Sequence, residues 1–112
     1  MDTRAKIVAP GAAQALQPGT RVVSGSFDPL LREHADSLSE LRQGCARLAV
    51  VVTEPPQPLL PARARAELVA ALPCVDTVFL AGEGTPPADL RLEDAHDRLR
   101  AAFLRHVRTR QS

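Results

Sequence analysis

Three apolar runs, separated by segments of helical periodicity, define the arrangement of this chain. The runs cover residues 21–24, 48–53 and 75–80 and are rich in valine and leucine. The middle run is apolar from Leu48 to Val52, which is typical of a strand buried on both faces of a parallel sheet. Each connecting segment has room for one crossover helix. The pattern therefore predicts an α/β domain with the three runs as adjacent parallel strands.

The first predicted helix lies between the first two runs. Asp28 and Pro29 resemble an N-cap and first-turn pair, and Gly44 is suited to the other end. Four apolar residues recur at helical spacing between them. They are Leu31, Ala35, Leu38 and Leu41.

The second predicted helix begins at Pro61 and ends before Pro73. Its predicted inner face consists of Ala64, Leu68 and Leu72. Beyond the third run, residues 89–92 are compatible with a short fourth strand. Apolar residues then recur at helical spacing over 95–107, which predicts an amphipathic final helix.

Length and composition exclude several classes of protein. The 112 residues support a single domain over 1–112, with residues 1–20 as an N-terminal extension or helix. The net charge of +1 and an aromatic content of 3% give no support for nucleic-acid binding. No apolar run approaches the roughly 18 residues of a membrane span, and no signal peptide is recognisable, so we expect a cytoplasmic protein.

The candidate chemistry lies in the loop after the first strand, which reads Gly25-Ser26-Phe27-Asp28. Gly25 and Ser26 allow a ligand to approach the backbone N–H groups, and the following helix N-terminus favours anions. In an open α/β sheet this loop faces the ligand crevice. The three histidines of the chain make no metal-binding spacing with either cysteine. The pattern predicts a phosphate-binding site and no protein-held metal.

This loop resembles the signature of the nucleotidyltransferase superfamily, G-x-F-D-x-x-H-x-G-H. Gly25, Phe27, Asp28 and His34 match it, whereas Leu31 and Glu33 stand in place of its first histidine and its second glycine. Over roughly residues 5–80 the chain is most similar to the adenylyltransferase domain of heptose-phosphate enzymes.

The resemblance implies a Rossmann-like three-layer sandwich whose parallel sheet has about four or five strands, in the order 3-2-1-4-5. It implies transfer of a nucleoside monophosphate from CTP or ATP to a phosphorylated small molecule, with Mg²⁺, by a protein that is often a homodimer. His34 would be the catalytic residue. The predicted nucleotide-binding residues are Gly25, Ser26, Phe27, Asp28, Arg63 and Arg65.

Departures from the signature predict weakened or lost catalysis. Leu31 cannot donate to a phosphoryl oxygen, and Glu33 adds bulk and negative charge where a triphosphate would approach. The last predicted helix begins with Leu92-Glu93-Asp94, which is acidic where relatives carry a Ser/Thr-rich phosphate motif. The alternative is a catalytically silent module that binds a nucleotide or another protein.

Overall fold

The computed structural model describes residues 2–9, 16–82 and 84–93, and its centre is a parallel sheet of five strands. The strands are β1 (Ile7–Val8), β2 (Thr20–Gly25), β3 (Arg47–Val52), β4 (Thr77–Leu80) and β5 (Leu90–Arg91). Their spatial order is β1-β4-β3-β2-β5, and every neighbouring pair is parallel. The fold is therefore α/β with a Rossmann-like sheet, as predicted.

The three apolar runs form the adjacent central strands β2, β3 and β4, and residues 90–91 form the fourth predicted strand. Val23 of β2 aligns with Val50 of β3, which in turn aligns with Val78 of β4. The sequence pattern did not predict β1 as a strand. It extends the sheet beside β4, where Ile7 aligns with Val78.

The two faces of the sheet bury alternate residues of each strand. In β3, Leu48, Val50 and Val52 belong to the larger apolar cluster, whereas Ala49 and Val51 belong to a smaller one. Residues of both described helices join the larger cluster, so these helices cover the same face. The smaller cluster on the opposite face also includes Phe79 of β4, with the half-buried Leu16 packed against it.

Helix α1 (Arg32–Gln43) begins later than predicted, because Leu31 rather than Asp28 is its N-cap. Both carboxylate oxygens of Asp28 instead accept hydrogen bonds from the backbone of the loop before the second helix. Leu38 is the fully buried apolar residue of α1, in agreement with the predicted stripe, and Gly44 is its C-cap.

Helix α2 (Ala62–Ala70) follows Pro61 as predicted, and the predicted inner residue Leu72 packs against the larger cluster, but the prediction for Leu68 was wrong. Leu68 is 46% exposed, whereas Arg65, Ala66, Val69 and Ala70 are buried. The helix is rotated from the predicted orientation because the Arg65 guanidinium bonds to acceptors inside the protein.

Two other predicted segments, the helix over 95–107 and most of the helical turn near residues 12–16, lie outside the described residues. A 3-10 helix (Thr3–Lys6) precedes β1, and the Lys6 ammonium donates to the carbonyl of Leu72 at 3.1 Å. Within the described part of the chain, no helix is long and apolar enough to cross a membrane.

Candidate functional site

The strand order reverses at β2, and this reversal locates the candidate site. From β2 the chain adds β3 and β4 on one side, and it then crosses back to place β5 on the other side. In open α/β sheets, ligands bind outside the carboxyl ends of the strands at such a reversal. The loop containing Ser26, Phe27 and Asp28 leaves the carboxyl end of β2, so it lies at this reversal.

Asp28 ties this loop to the loop that connects β3 with α2. Its Oδ2 accepts from the Leu59 amide at 2.6 Å, and its Oδ1 accepts from the Leu60 amide at 2.8 Å. The carboxylate is 3% exposed. Both of its oxygens are therefore engaged in holding the protein together in this structure.

Arg65 makes a second tie between the same loops. Its guanidinium donates to the carbonyls of Leu60 (3.0 Å), Ser26 (3.0 Å) and Thr53 (2.7 Å), and to the Glu54 carboxylate at 2.7 Å. The side chain is completely buried. We call these four contacts the Arg65 clasp. The clasp directs the guanidinium inward, onto the protein's own oxygens.

His34, the predicted catalytic residue, lies in the first turn of α1 and is 2% exposed. Its Nδ1 accepts a hydrogen bond from the Leu31 amide at 2.9 Å, so the neutral ring carries its proton on Nε2. The ring packs edge-on against Phe27, with 5.8 Å between ring centroids. Burial lowers the pKa of the imidazole below its ordinary value, which favours this neutral form.

Phe27 adopts a backbone φ of 48°, in the left-handed region that bulky residues rarely occupy. Its ring is fully buried in the larger apolar cluster. The Asp28–Pro29 peptide bond that follows is cis. Gly25, Ser26, Phe27, Asp28, His34 and Arg65 are thus brought together in one packed unit.

Arg63 is placed differently from the other predicted residues. Its side chain is 57% exposed in the first turn of α2 and lies 3.3 Å from the Glu67 carboxylate. Three other arginines at this end of the sheet also have carboxylate neighbours. They are Arg32 with Asp36 (3.8 Å), Arg65 with Glu54 (2.7 Å) and Arg91 with Glu93 (3.6 Å). These acidic neighbours offset the positive charge available to a polyphosphate.

A cavity of about 280 Å³ opens at the same end of the sheet, on the face opposite α1 and α2. Ser24, Val51 and Arg91 line it from β2, β3 and β5. Residues between β4 and β5 form one wall, and they are Ala81, Thr85, Pro86 and Ala88. Ser24 is aligned with Val51 and with Arg91, so the three side chains share one face. The volume is just below the roughly 300–1,000 Å³ of ligand pockets.

Polar groups converge in this cavity. The Ser24 hydroxyl is buried and has no hydrogen-bond partner among the residues that the structure describes. Glu93 also lines the cavity, and its Oε1 accepts from the Thr53 hydroxyl at a long 3.4 Å. Buried polar groups in native proteins are normally satisfied, so this Ser24 hydroxyl is a candidate ligand contact.

Sequence reasoning did not select Ser24, Thr53 or Arg91, and it interpreted Glu93 only as a charge opposing phosphate. A signal for them is present in the pattern. Each lies within two residues of the carboxyl end of a strand, where the apolar run gives way to polar residues. Each is also two positions away from another residue on the same face of the sheet. Such a polar end on an otherwise apolar face marks the carboxyl edge of a parallel sheet.

The described residues do not fit a protein-held metal ion. Among them, no group of three histidine, cysteine or acidic side chains is arranged to bind one. The Asp28 oxygens, which are the acidic oxygens of the signature loop, already accept backbone hydrogen bonds. The predicted Mg²⁺ would therefore depend on the phosphate oxygens of a ligand.

Fold and site together define a Rossmann-like parallel α/β domain with a polar cavity at its strand-order reversal. Comparison with protein-family models and with curated proteins found no match to this chain.

Proposed function

We propose that this chain is a nucleotidyltransferase-like domain that binds a nucleotide at the carboxyl edge of its sheet and has little or no transfer activity. The observation that carries the proposal is the cavity beside the end of β2, with the buried Ser24 hydroxyl lacking a partner among the described residues. The signature-like loop begins one residue after Ser24. A nucleoside in the cavity would therefore place its phosphates toward that loop.

Three features support weak or absent transfer. Leu31 supplies no donor at the position of the first signature histidine, and loss of one preorganised donor costs about 3–4 kcal/mol of transition-state stabilisation. The Nδ1 of His34 accepts the Leu31 amide, so it is engaged within the protein. The exposed Glu33 adds negative charge in the first turn of α1.

The arginines support the same conclusion. Arg65 is held by the clasp, and its pairing with Glu54 leaves it directed away from an incoming triphosphate. Arg63 and Arg91 are exposed, and exposed ion pairs contribute only about 0–1 kcal/mol, so these two side chains are able to turn toward a ligand. Two mobile arginines are enough to bind a ligand with few phosphates, but they do not hold a triphosphate in the fixed geometry that transfer requires.

Calorimetric titration with CTP, ATP, CMP and AMP, each with and without Mg²⁺, tests the proposal. We expect at least one nucleotide to bind the wild-type protein. We also expect pyrophosphate release from CTP or ATP to remain at background when a phosphorylated small molecule is present as acceptor. Ser24→Ala should weaken binding by about 3- to 10-fold, as expected for one lost hydrogen bond. Ser39→Ala, which removes an exposed hydroxyl from α1, is the matched control and should bind like the wild type.

Absence of binding by all four nucleotides would contradict the proposal and favour the protein-interaction module. Rapid pyrophosphate release by the wild-type protein would contradict its second part, because Leu31 and Glu33 would then not be defects.

A further inference from the structure

The cavity described above offers acceptors to its ligand, and this chemistry restricts what it can bind. The second carboxylate oxygen of Glu93, Oε2, is buried and accepts no hydrogen bond from the described residues. This oxygen lies 3.6 Å from the Nε of Arg91. The other oxygen has only the long contact with Thr53, at 3.4 Å. Glu93, which lines the cavity, therefore retains acceptor capacity.

An ionised carboxylate accepts hydrogen bonds and donates none. Phosphate oxygens are acceptors as well and carry negative charge, so they are unsuited to the neighbourhood of Glu93. The Ser24 hydroxyl can both donate and accept. A complementary group must therefore present at least two donors close together, without negative charge of its own.

The neighbouring hydroxyl groups of a ribose meet this requirement. Two adjacent O–H groups match the two adjacent oxygens of a carboxylate, and an acidic residue contacts the ribose hydroxyls in dinucleotide-binding α/β domains. The cavity of about 280 Å³ has the size for a sugar and part of a base rather than for a whole nucleoside triphosphate.

We propose that Glu93, assisted by the Ser24 hydroxyl, binds the ribose hydroxyls of the ligand, so that the domain selects ribonucleotides over deoxyribonucleotides. This inference rests on the proposed function, because it specifies the ligand of the same cavity. It assigns Glu93 a binding role in place of the merely repulsive role that the sequence indicated.

The experiment is a calorimetric titration with one nucleotide in three forms. CMP, 2′-deoxy-CMP and 2′,3′-dideoxy-CMP, or the corresponding AMP series if AMP binds more tightly, are titrated into the wild-type protein. We expect the 2′-deoxy form to bind at least about tenfold more weakly and the dideoxy form more weakly still, since hydrogen bonds to charged groups are the stronger ones. Glu93→Gln should reduce the ribose preference to about two- or threefold. Glu40→Gln, an exposed position on α1, is the control and should retain the full preference.

Equal affinity of the wild-type protein for the three forms would overturn this inference while leaving the proposed nucleotide binding intact. A Glu93→Gln variant that loses affinity equally for all three would also overturn it, because the carboxylate would then contact an amino group of the base. Failure of every nucleotide to bind would overturn both proposals. The ligand series on the wild-type protein gives a result even if Glu93→Gln fails to fold.

Discussion

Arg65→Met tests whether the buried arginine holds the two loops of the candidate site together. The substitution keeps an unbranched side chain of similar reach and removes all donors. It leaves the carbonyls of Ser26, Thr53 and Leu60 without the guanidinium that now satisfies them.

The expected loss of stability follows from the four contacts of the clasp. The Glu54 carboxylate is 58% exposed and returns to water when Arg65 is removed, so its contact contributes little. Each of the three carbonyls loses a charge-assisted hydrogen bond in a buried or half-buried setting, at about 1–2 kcal/mol each. We therefore expect Arg65→Met to lower the free energy of unfolding by roughly 3–6 kcal/mol, a large part of the 5–15 kcal/mol typical of a domain.

Urea denaturation at pH 7 measures this loss. Arg63→Met is the matched control, because it removes an exposed arginine two positions away whose pair with Glu67 is worth about 0.3–0.5 kcal/mol. If Arg65→Met does not fold, Arg65→Lys should retain part of the stability, since an ammonium reaches fewer of the acceptors than the forked guanidinium does. Equal losses for Arg65→Met and Arg63→Met would refute the reasoning.

Three further predictions concern the same end of the sheet. Asp28→Asn should lower the free energy of unfolding by about 1–3 kcal/mol in urea, because one loop amide loses its acceptor, whereas Asp36→Asn on exposed α1 should change it little. Burial lowers the pKa of His34, so the folded state binds its proton less readily than the unfolded state; stability should be full above about pH 6.5 and fall as the pH drops toward the folded pKa. His34→Gln should flatten that fall in urea midpoints measured from pH 7.5 to 4.5, and an unchanged slope would contradict the assignment. Leu31→His combined with Glu33→Gly should strengthen CTP or ATP binding more than either change alone, in calorimetric titration with Mg²⁺; a double variant that binds no more tightly than the better single variant would contradict a shared phosphate site.

The strands were predictable because their signal is local. Consecutive aliphatic residues such as Leu48 to Val52 place apolar side chains on both faces of a strand, and both faces must then be buried. The run itself therefore indicates a central strand. The two-residue strands are different. Residues 90–91 were anticipated from their position, but Ile7–Val8 is too short to carry a pattern and is a strand because β4 pairs with it.

The errors in the helices have one physical cause, which is competition for polar groups between distant parts of the chain. Asp28 looks like an N-cap, yet its carboxylate accepts hydrogen bonds from amides some 30 positions further along, and Leu31 is the N-cap of α1 instead. Leu68 was predicted on the inner face of α2, and Arg65 was predicted to contact a nucleotide. Leu68 is instead exposed and Arg65 is buried, because three carbonyls from separate segments surround the Arg65 guanidinium.

The sequence by itself determined the α/β class, the order of the central strands and the position of the signature-like loop at the end of β2. Only the tertiary structure decided how the polar residues of that region are used. Asp28, His34 and Arg65 bond to the protein's own backbone, and Ser24 and Glu93 line the cavity beside them. The reason is that apolar periodicity is read along the chain, whereas a hydrogen-bond partner is chosen in space, where loops far apart in sequence meet.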